Sequence, residues 1–232
     1  VRILLDESGQ QSETLPLMVG AVACPEPERL DDILNELHAE LSAMDRFAGQ
    51  ASFDAFVKDG FHNWQIPFEL QVQFISELEK LDGFRLYVCF SRRARLPTLT
   101  DDQRCLVLYR ALLPDVYLAQ KIDSVDLWFE ENSTLGRHFK KVAEDSRADA
   151  VAKSDEDRVP QVNVRVVSKD EAPSLGIVDF AMAIIGQWLL QPAPRDLAQY
   201  KVRNFMAIER DVALIHDFDS GKRSTRLHRD FA

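Results

Sequence analysis

Apolar and polar positions along this chain change period repeatedly, from short runs and alternations that suit strands to three- and four-residue steps that suit helices. Arg2-Ile-Leu-Leu-Asp-Glu7 is an apolar run stopped by acids and Ser8-Gly9, the pattern of a buried strand entering a turn. Leu15 to Cys24 is rich in Leu, Val and Ala, ends at Pro25-Glu-Pro27, and reads as the second arm of a hairpin. From about Glu28 to Met44, Leu30, Ile33, Leu34, Leu37 and Leu41 predict an amphipathic helix. The stretch from about Arg46 to Pro67 is the least regular and is read as an insertion whose aromatic residues pack back on the core.

Phe68 to Leu81 predicts a helix stopped at Asp82-Gly83, and Phe84 to Ser91 a strand containing Tyr, Val and Phe. Thr100-Asp-Asp supplies an N-cap and first turn for a helix reaching about Lys121, with a kink or break expected before Pro114. Ser124 to Glu131 is a strand ending in acids, Ser133 to about Ala152 a charged surface helix, and Val162 to Ser168 another strand. Ser174 opens a helix to Leu190 that is apolar on nearly every side, hence buried, and Pro192 and Pro194 end it. A last helix is expected from about Val202 to His216.

Hairpin strands followed by alternating strand and helix predict an α/β fold, a mixed sheet flanked by helices. A helical insertion follows the second strand at roughly 45–67, and a C-terminal helical extension covers roughly 192–232. No Gly-, Ser- or Pro-rich linker separates two self-sufficient halves, so 1–232 is read as a single domain.

Composition adds limits. At 46% hydrophobic and 28% charged, the 232 residues have ample material for a core. Cys24, Cys89 and Cys105 are odd in number, widely spaced and set in apolar runs, which suits reduced core thiols over a disulfide framework or a zinc site. No run approaches the roughly 20 apolar residues of a membrane span, and the start lacks an apolar signal segment. The expected location is therefore cytoplasmic, with no membrane partner. A formal net charge of -10 counts against an extended nucleic-acid-binding surface, though not against a nuclease whose metal-binding carboxylates are themselves acidic. Arg92, Arg93 and Arg95, and the tail from Lys222 to Arg229, are candidates to line an approach, or else a solvated loop and a frayed terminus.

The candidate chemistry lies in acids that interrupt apolar elements. Leu4-Leu5-Asp6-Glu7-Ser8-Gly9 and Trp128-Phe129-Glu130-Glu131-Asn132-Ser133 share one form, and Asp179 lies inside the buried helix. If the two strands are adjacent and parallel, both acid pairs reach one sheet edge. Grouped carboxylates in an apolar setting repel one another, and a divalent cation relieves that cost. Hard oxygen ligands select Mg²⁺ or Mn²⁺, which support phosphodiester cleavage. Acids after a strand also form turns, which would account for either pair alone; Asp179 would need a capping role or a buried partner such as Arg. The histidines show no zinc spacing, and His62, in Gly60-Phe-His-Asn-Trp64, is either placed to reach a phosphate or a structural residue. There is no G-x-S-x-G elbow, P-loop or G-x-G-x-x-G after a strand.

These residues resemble the DUF3800 proteins, bacterial and phage proteins of unknown function with an expected ribonuclease H-like fold. The likeness rests on Leu5-Asp-Glu-Ser-Gly9, on Phe61-His62 leading into a helix and strand, and on the acid-ended strand at Glu130. Ser168-Lys-Asp and Ser174-Leu-Gly-Ile-Val-Asp179-Phe-Ala complete it. It implies a first strand beside and parallel to the fourth. By position it makes Asp6 the first-strand acid, Glu130 or Glu131 the fourth-strand acid, and Asp179 the acid of the last core helix. Where the family often has Leu-Gln-x-Ala-Asp, this chain has Leu175-Gly-Ile-Val-Asp179, and its helix from about Thr100 carries acids only at Asp101 and Asp102. Either Glu7 replaces that helix ligand, or a second metal binds weakly. The expected function is a Mg²⁺- or Mn²⁺-dependent nuclease acting on nucleic acid, with Asp6, Glu130 and Asp179 as metal ligands and Glu7 and Glu131 in support. The alternatives are a non-catalytic interaction, toxin or defence protein on the same scaffold, and hydrolysis of a small phosphorylated molecule.

Overall fold

β1 (Arg2–Ser8) and β2 (Leu17–Cys24) form the expected antiparallel hairpin, with Asp6 opposite Gly20. β2 pairs antiparallel with β3 (Arg85–Ser91). On its other side β1 runs parallel to β4 (Ser124–Glu130), which runs parallel to β5 (Gln161–Val167). β3 is extended by a parallel β6 (Val212–Asp217), and β6 by a short antiparallel β7 (Arg223–Thr225). The resulting seven-stranded sheet has the order β5-β4-β1-β2-β3-β6-β7. The parallel pairing of β1 with β4 is the adjacency expected from the sequence. This computed structural model describes residues 1–10, 12–62, 66–93, 97–155, 158–192 and 195–226. Trp64, Arg95, Pro194, His228 and Arg229 therefore lie outside the described residues.

The helices are α1 (Pro27–Ser42), α2 (Ala51–Asp59), α3 (Phe68–Lys80), α4 (Asp101–Ala119), α5 (Gly136–Val151), α6 (Leu175–Leu189) and α7 (Tyr200–Ile208). Successive strand residues point to opposite faces, so each central strand feeds two cores. Ile3, Leu5, Val19 and Cys89 pack with α4 and α5, while Leu4, Met18, Val22 and Val88 pack with α1, α3, α6 and α7. β2 is buried at every position. That is why its sequence is an uninterrupted apolar run rather than an alternation.

Three expectations meet the structure differently. First, the insertion is helical, as expected: it holds a 3-10 turn at Asp45–Phe47 and then α2. Its aromatic residues do pack inward. Phe56 lies 5.3 Å from Phe61, Phe61 4.5 Å from Phe74, and Phe74 4.0 Å from Phe180 of α6 (ring centroids). Second, α4 runs unbroken through Pro114. The proline removes one hydrogen bond, to the carbonyl of Arg110, but Arg110 is exposed and the opposite stripe, Leu108, Leu112, Leu113 and Val116, is fully buried. Third, the C-terminal extension is not all helix: α7 ends at Ile208 and Val212–Asp217 is a sheet strand. Val-Ala-Leu-Ile fits either a helix or a buried strand, and the open edge of β3 decides between them.

α6 lies close against β1 and β2 because Gly20 leaves room for it. A Cβ at Gly20 would come within 2.9 Å of Val178 and Met182. Close to the site, a Cβ at Gly176 would approach Phe61 Cβ to 2.8 Å.

Candidate functional site

Asp6 is two residues beyond Leu4 on β1, and Glu130 two beyond Trp128 on β4; Leu4 and Trp128 are register partners. Asp6 and Glu130 therefore point to the same face of the sheet from adjacent parallel strands. α6 crosses that face, and Asp179, in its second turn, is the half-buried residue among neighbours Val178 and Phe180 that are fully buried. Strand ends and helix thus bring the three carboxylates predicted as metal ligands to one place. Asp6 is 7% exposed. Burial, followed by the charges of Glu130, Asp179 and Glu7, pushes its carboxyl well above the usual carboxylate range, against the lowering effect of Lys169.

Lys169 is the residue that sequence reasoning missed. It lies in the loop between β5 and α6, is 8% exposed, and directs its ammonium into the carboxylates. Nζ donates to Asp179 Oδ2 at 3.0 Å and stands 3.1 Å from Glu130 Oε2. It also donates to His62 Nδ1 at 2.9 Å, which requires that nitrogen to be an acceptor and the proton to sit on Nε2. Burial alone would lower the lysine pKa; Asp6, Asp179 and Glu130 together hold it above its ordinary value. His62 is shifted the other way, lowered by burial and then by Lys169. It is accordingly neutral near pH 7, and its 3.9 Å approach to Asp179 Oδ2 is not an ion pair there. The sequence contained Lys169 within Ser168-Lys-Asp, and the signal to read was the need of several clustered acids for a counter-charge.

Glu7, the next residue of β1, points through the other face of the sheet. It accepts hydrogen bonds from the Tyr109 hydroxyl at 3.1 Å and from Asn132 Nδ2. Burial raises its pKa to about 7 in spite of those two bonds, with Glu130 and Asp102 adding to the shift. Glu7 thus lies on the α4 side of the strand, beside the first-turn acids of that helix, whereas Asp6 lies on the α6 side. Of those acids, Asp102 accepts from Gln10 at 3.2 Å, and Asp101 is held by Arg93 and Arg104. Glu131 is exposed one residue past β4 and is not among the groups that shift Asp6, Glu7 or Lys169 most.

The remaining candidates are mostly structural. Arg93, with φ of 66°, donates to Gly9 O, Leu15 O and both Asp101 oxygens, clamping the hairpin turn to α4. Arg92 lies over Phe90 and 3.6 Å from Asp217. In the basic tail Arg223 belongs to β7 and pairs with Asp115 at 3.1 Å. His38 bonds Phe56 O at 2.9 Å, and His216 is buried in β6. Cys24, Cys89 and Cys105 are free and buried, and burial raises all three thiols, Cys24 to about 12. No described helix is long and apolar enough to cross a membrane.

The donor set suits a hard divalent cation in kind. Asp6, Glu130 and Asp179 offer carboxylate oxygens, and the buried Glu130 Oε2 has no hydrogen bond of good geometry despite its closeness to Lys169. In spacing it does not: among the described residues no three His, Cys, Asp or Glu side chains already surround a point that could hold an ion. Lys169 Nζ stands between Asp179 and Glu130 instead.

No family model matches the chain, and no curated protein matches it. Among solved structures, a chain in the structure of the PCNA:RNase HII complex from Archaeoglobus fulgidus is similar at 12% identity. That match covers 90% of each chain, with a TM-score of 0.46. A single-substitution mutant of Bst-RNase HIII is similar at 15% identity with a TM-score of 0.42. There the match covers 80% of this chain, which spans 51% of that one.

Proposed function

We propose that this chain is a divalent-metal-dependent phosphodiesterase of the DUF3800 type acting on nucleic acid, with Asp6, Glu130 and Asp179 holding Mg²⁺ or Mn²⁺. One observation carries the reading: carboxylates from β1, β4 and α6 share one desolvated spot with the Lys169 ammonium, so that among the described residues acids outnumber cations there. The raised pKa of Asp6 comes first from its burial and then from the charges of Glu130, Asp179 and Glu7. A divalent cation there would act as a Lewis acid, making water a better nucleophile and stabilising the leaving oxygen.

The chain's own residues would do the rest. Asp6 is rigid because its strand is buried on both sides, and its Oδ1 accepts from Glu7 N–H at 2.7 Å. Asp179 is fixed by the close seat of α6 on Gly20. Glu7, held by Tyr109 and Asn132 and pushed up to about 7, has a proton to exchange near neutral pH. It is the supporting acid of the reading, while the exposed Glu131 has a weaker claim.

The test pairs metal binding with cleavage. Wild type is expected to melt higher with Mn²⁺, because a ligand that binds only the folded state stabilises it. Asp6→Asn and Asp179→Asn are expected to fold, to lose that rise, and to lose Mn²⁺-dependent cleavage of nucleic acid. Full activity in either variant sinks the ligand assignment. A second reading, a non-catalytic interaction protein on this scaffold, is favoured by Lys169, which already partners the acids. A melting temperature unchanged by Mn²⁺ in wild type and in Lys169→Met alike selects it.

A further inference from the structure

We infer that Lys169 is a built-in counter-ion that occupies the cation position among Asp6, Glu130 and Asp179, and that its ammonium has to leave before a divalent ion binds. This rests on the metal reading above and adds what sets the site's affinity. Asp179 Oδ2 and Glu130 Oε2 are the oxygens nearest the ammonium, at 3.0 and 3.1 Å. A Mg²⁺ ion binds carboxylate oxygen at about 2.1 Å. On those two oxygens it would lie within about 4 Å of Nζ even on the side facing away from it, and two positive charges that close in a desolvated site repel strongly. The ammonium and the metal therefore exclude each other.

The lysine is built in rather than passing through. It is 8% exposed, it comes from the short loop that joins β5 to α6, and His62 Nδ1 accepts one of its protons at 2.9 Å. His62 in turn follows Phe61, which packs against Gly176 in the first turn of α6. The same contacts that seat the helix carrying Asp179 thus hold the acceptor that steadies Lys169. Without metal, the lysine offsets carboxylates that would otherwise be buried uncompensated. With metal, it opposes binding. It is a positioning and affinity-setting residue, and the structure assigns it no contact with a reacting group.

The test compares wild type with Lys169→Met, each with and without Mn²⁺, by thermal melting and by calorimetric titration of Mn²⁺. Lys169→Gln repeats the series with a polar side chain, so that poor folding of one variant does not decide the matter. Asp179→Asn reports whether binding occurs at this site. Without metal, both lysine variants are expected to melt below wild type. With saturating Mn²⁺ the order is expected to reverse, and Mn²⁺ to bind about tenfold more tightly or better. Binding by the lysine variants alone, with none in wild type, supports the inference as well. If the variants melt below wild type by the same margin in both conditions, or bind Mn²⁺ no more tightly, the inference is overturned. The metal reading then survives, provided wild type binds and Asp179→Asn does not. No binding in wild type or in either lysine variant removes the metal reading and the inference together.

Discussion

Adjacent residues on one strand have opposite surroundings here, and chemistry divides accordingly. Asp6 and Glu7 read as one acidic pair in the sequence, but the period of two along β1 sends Asp6 to Lys169 and Asp179 and Glu7 to Tyr109 and Asn132. Glu7 carries a prediction of its own. Its folded pKa, about 7, lies above the ordinary 4.5, so the folded state holds the proton more tightly than the unfolded chain. Stability should then be greatest below about pH 4.5 as far as this group is concerned, and fall as pH rises toward 7. Glu7→Gln removes that penalty. It is expected to flatten the decline and to raise stability at pH 8 by up to about 3 kcal/mol, measured by urea denaturation at pH 5 and pH 8. A variant no more stable than wild type at pH 8 means the carboxylate is compensated by more than Tyr109 and Asn132. The acids were legible in the sequence because charge inside an apolar run stands out. Lys169 was not, since a lone lysine in a loop looks like any other until its neighbours are known.

Elements are positioned by close contacts that the pattern of apolar residues does not reveal. α6 was predicted as a buried helix, and its apolar circumference sufficed for that. Where it would lie was not predictable, because its seat depends on Gly20 of a distant strand. Gly20→Ala is expected to destabilise the fold by about 1–3 kcal/mol, since Val178 is too stiff to move aside without shifting the helix backbone. Val178 neighbours Asp179, so the same variant should weaken Mn²⁺ binding as well as stability. Chemical denaturation and the Mn²⁺ melting shift check the two effects separately, and unchanged values of both mean that α6 does not depend on this contact. α4 teaches the converse. Its start was read correctly from Thr100, which with Gln103 forms a reciprocal capping box. Of the kink or break expected before Pro114, the break does not occur, because one lost hydrogen bond is outweighed by a buried stripe that only the packed sheet supplies.

For the whole molecule the sheet is the organising object, and its two edges were unequally visible. β3, β2, β1, β4 and β5 were all predicted as strands, while β6, which widens the sheet beyond β3, was taken for the end of a helix. Truncation after Asp211 removes β6 and β7 and bares the β3 edge; the shortened protein is expected to aggregate or to lose cooperative unfolding, as sedimentation and thermal melting would report. A soluble truncation with the wild-type melting temperature means that the five-strand sheet suffices. The sequence by itself determined which segments are apolar, their period, where they stop, and that acids stop two of the strands. These are local properties, set by side-chain chemistry and backbone geometry within a few residues. The tertiary structure alone decided that Val212–Asp217 is a strand, that α4 passes through its proline, that Asp6 and Glu7 work on opposite faces, and that Lys169 stands among the carboxylates. Each of those depends on partners far away in the chain, and burial and pairing with such partners outweigh the small local preferences that a sequence displays.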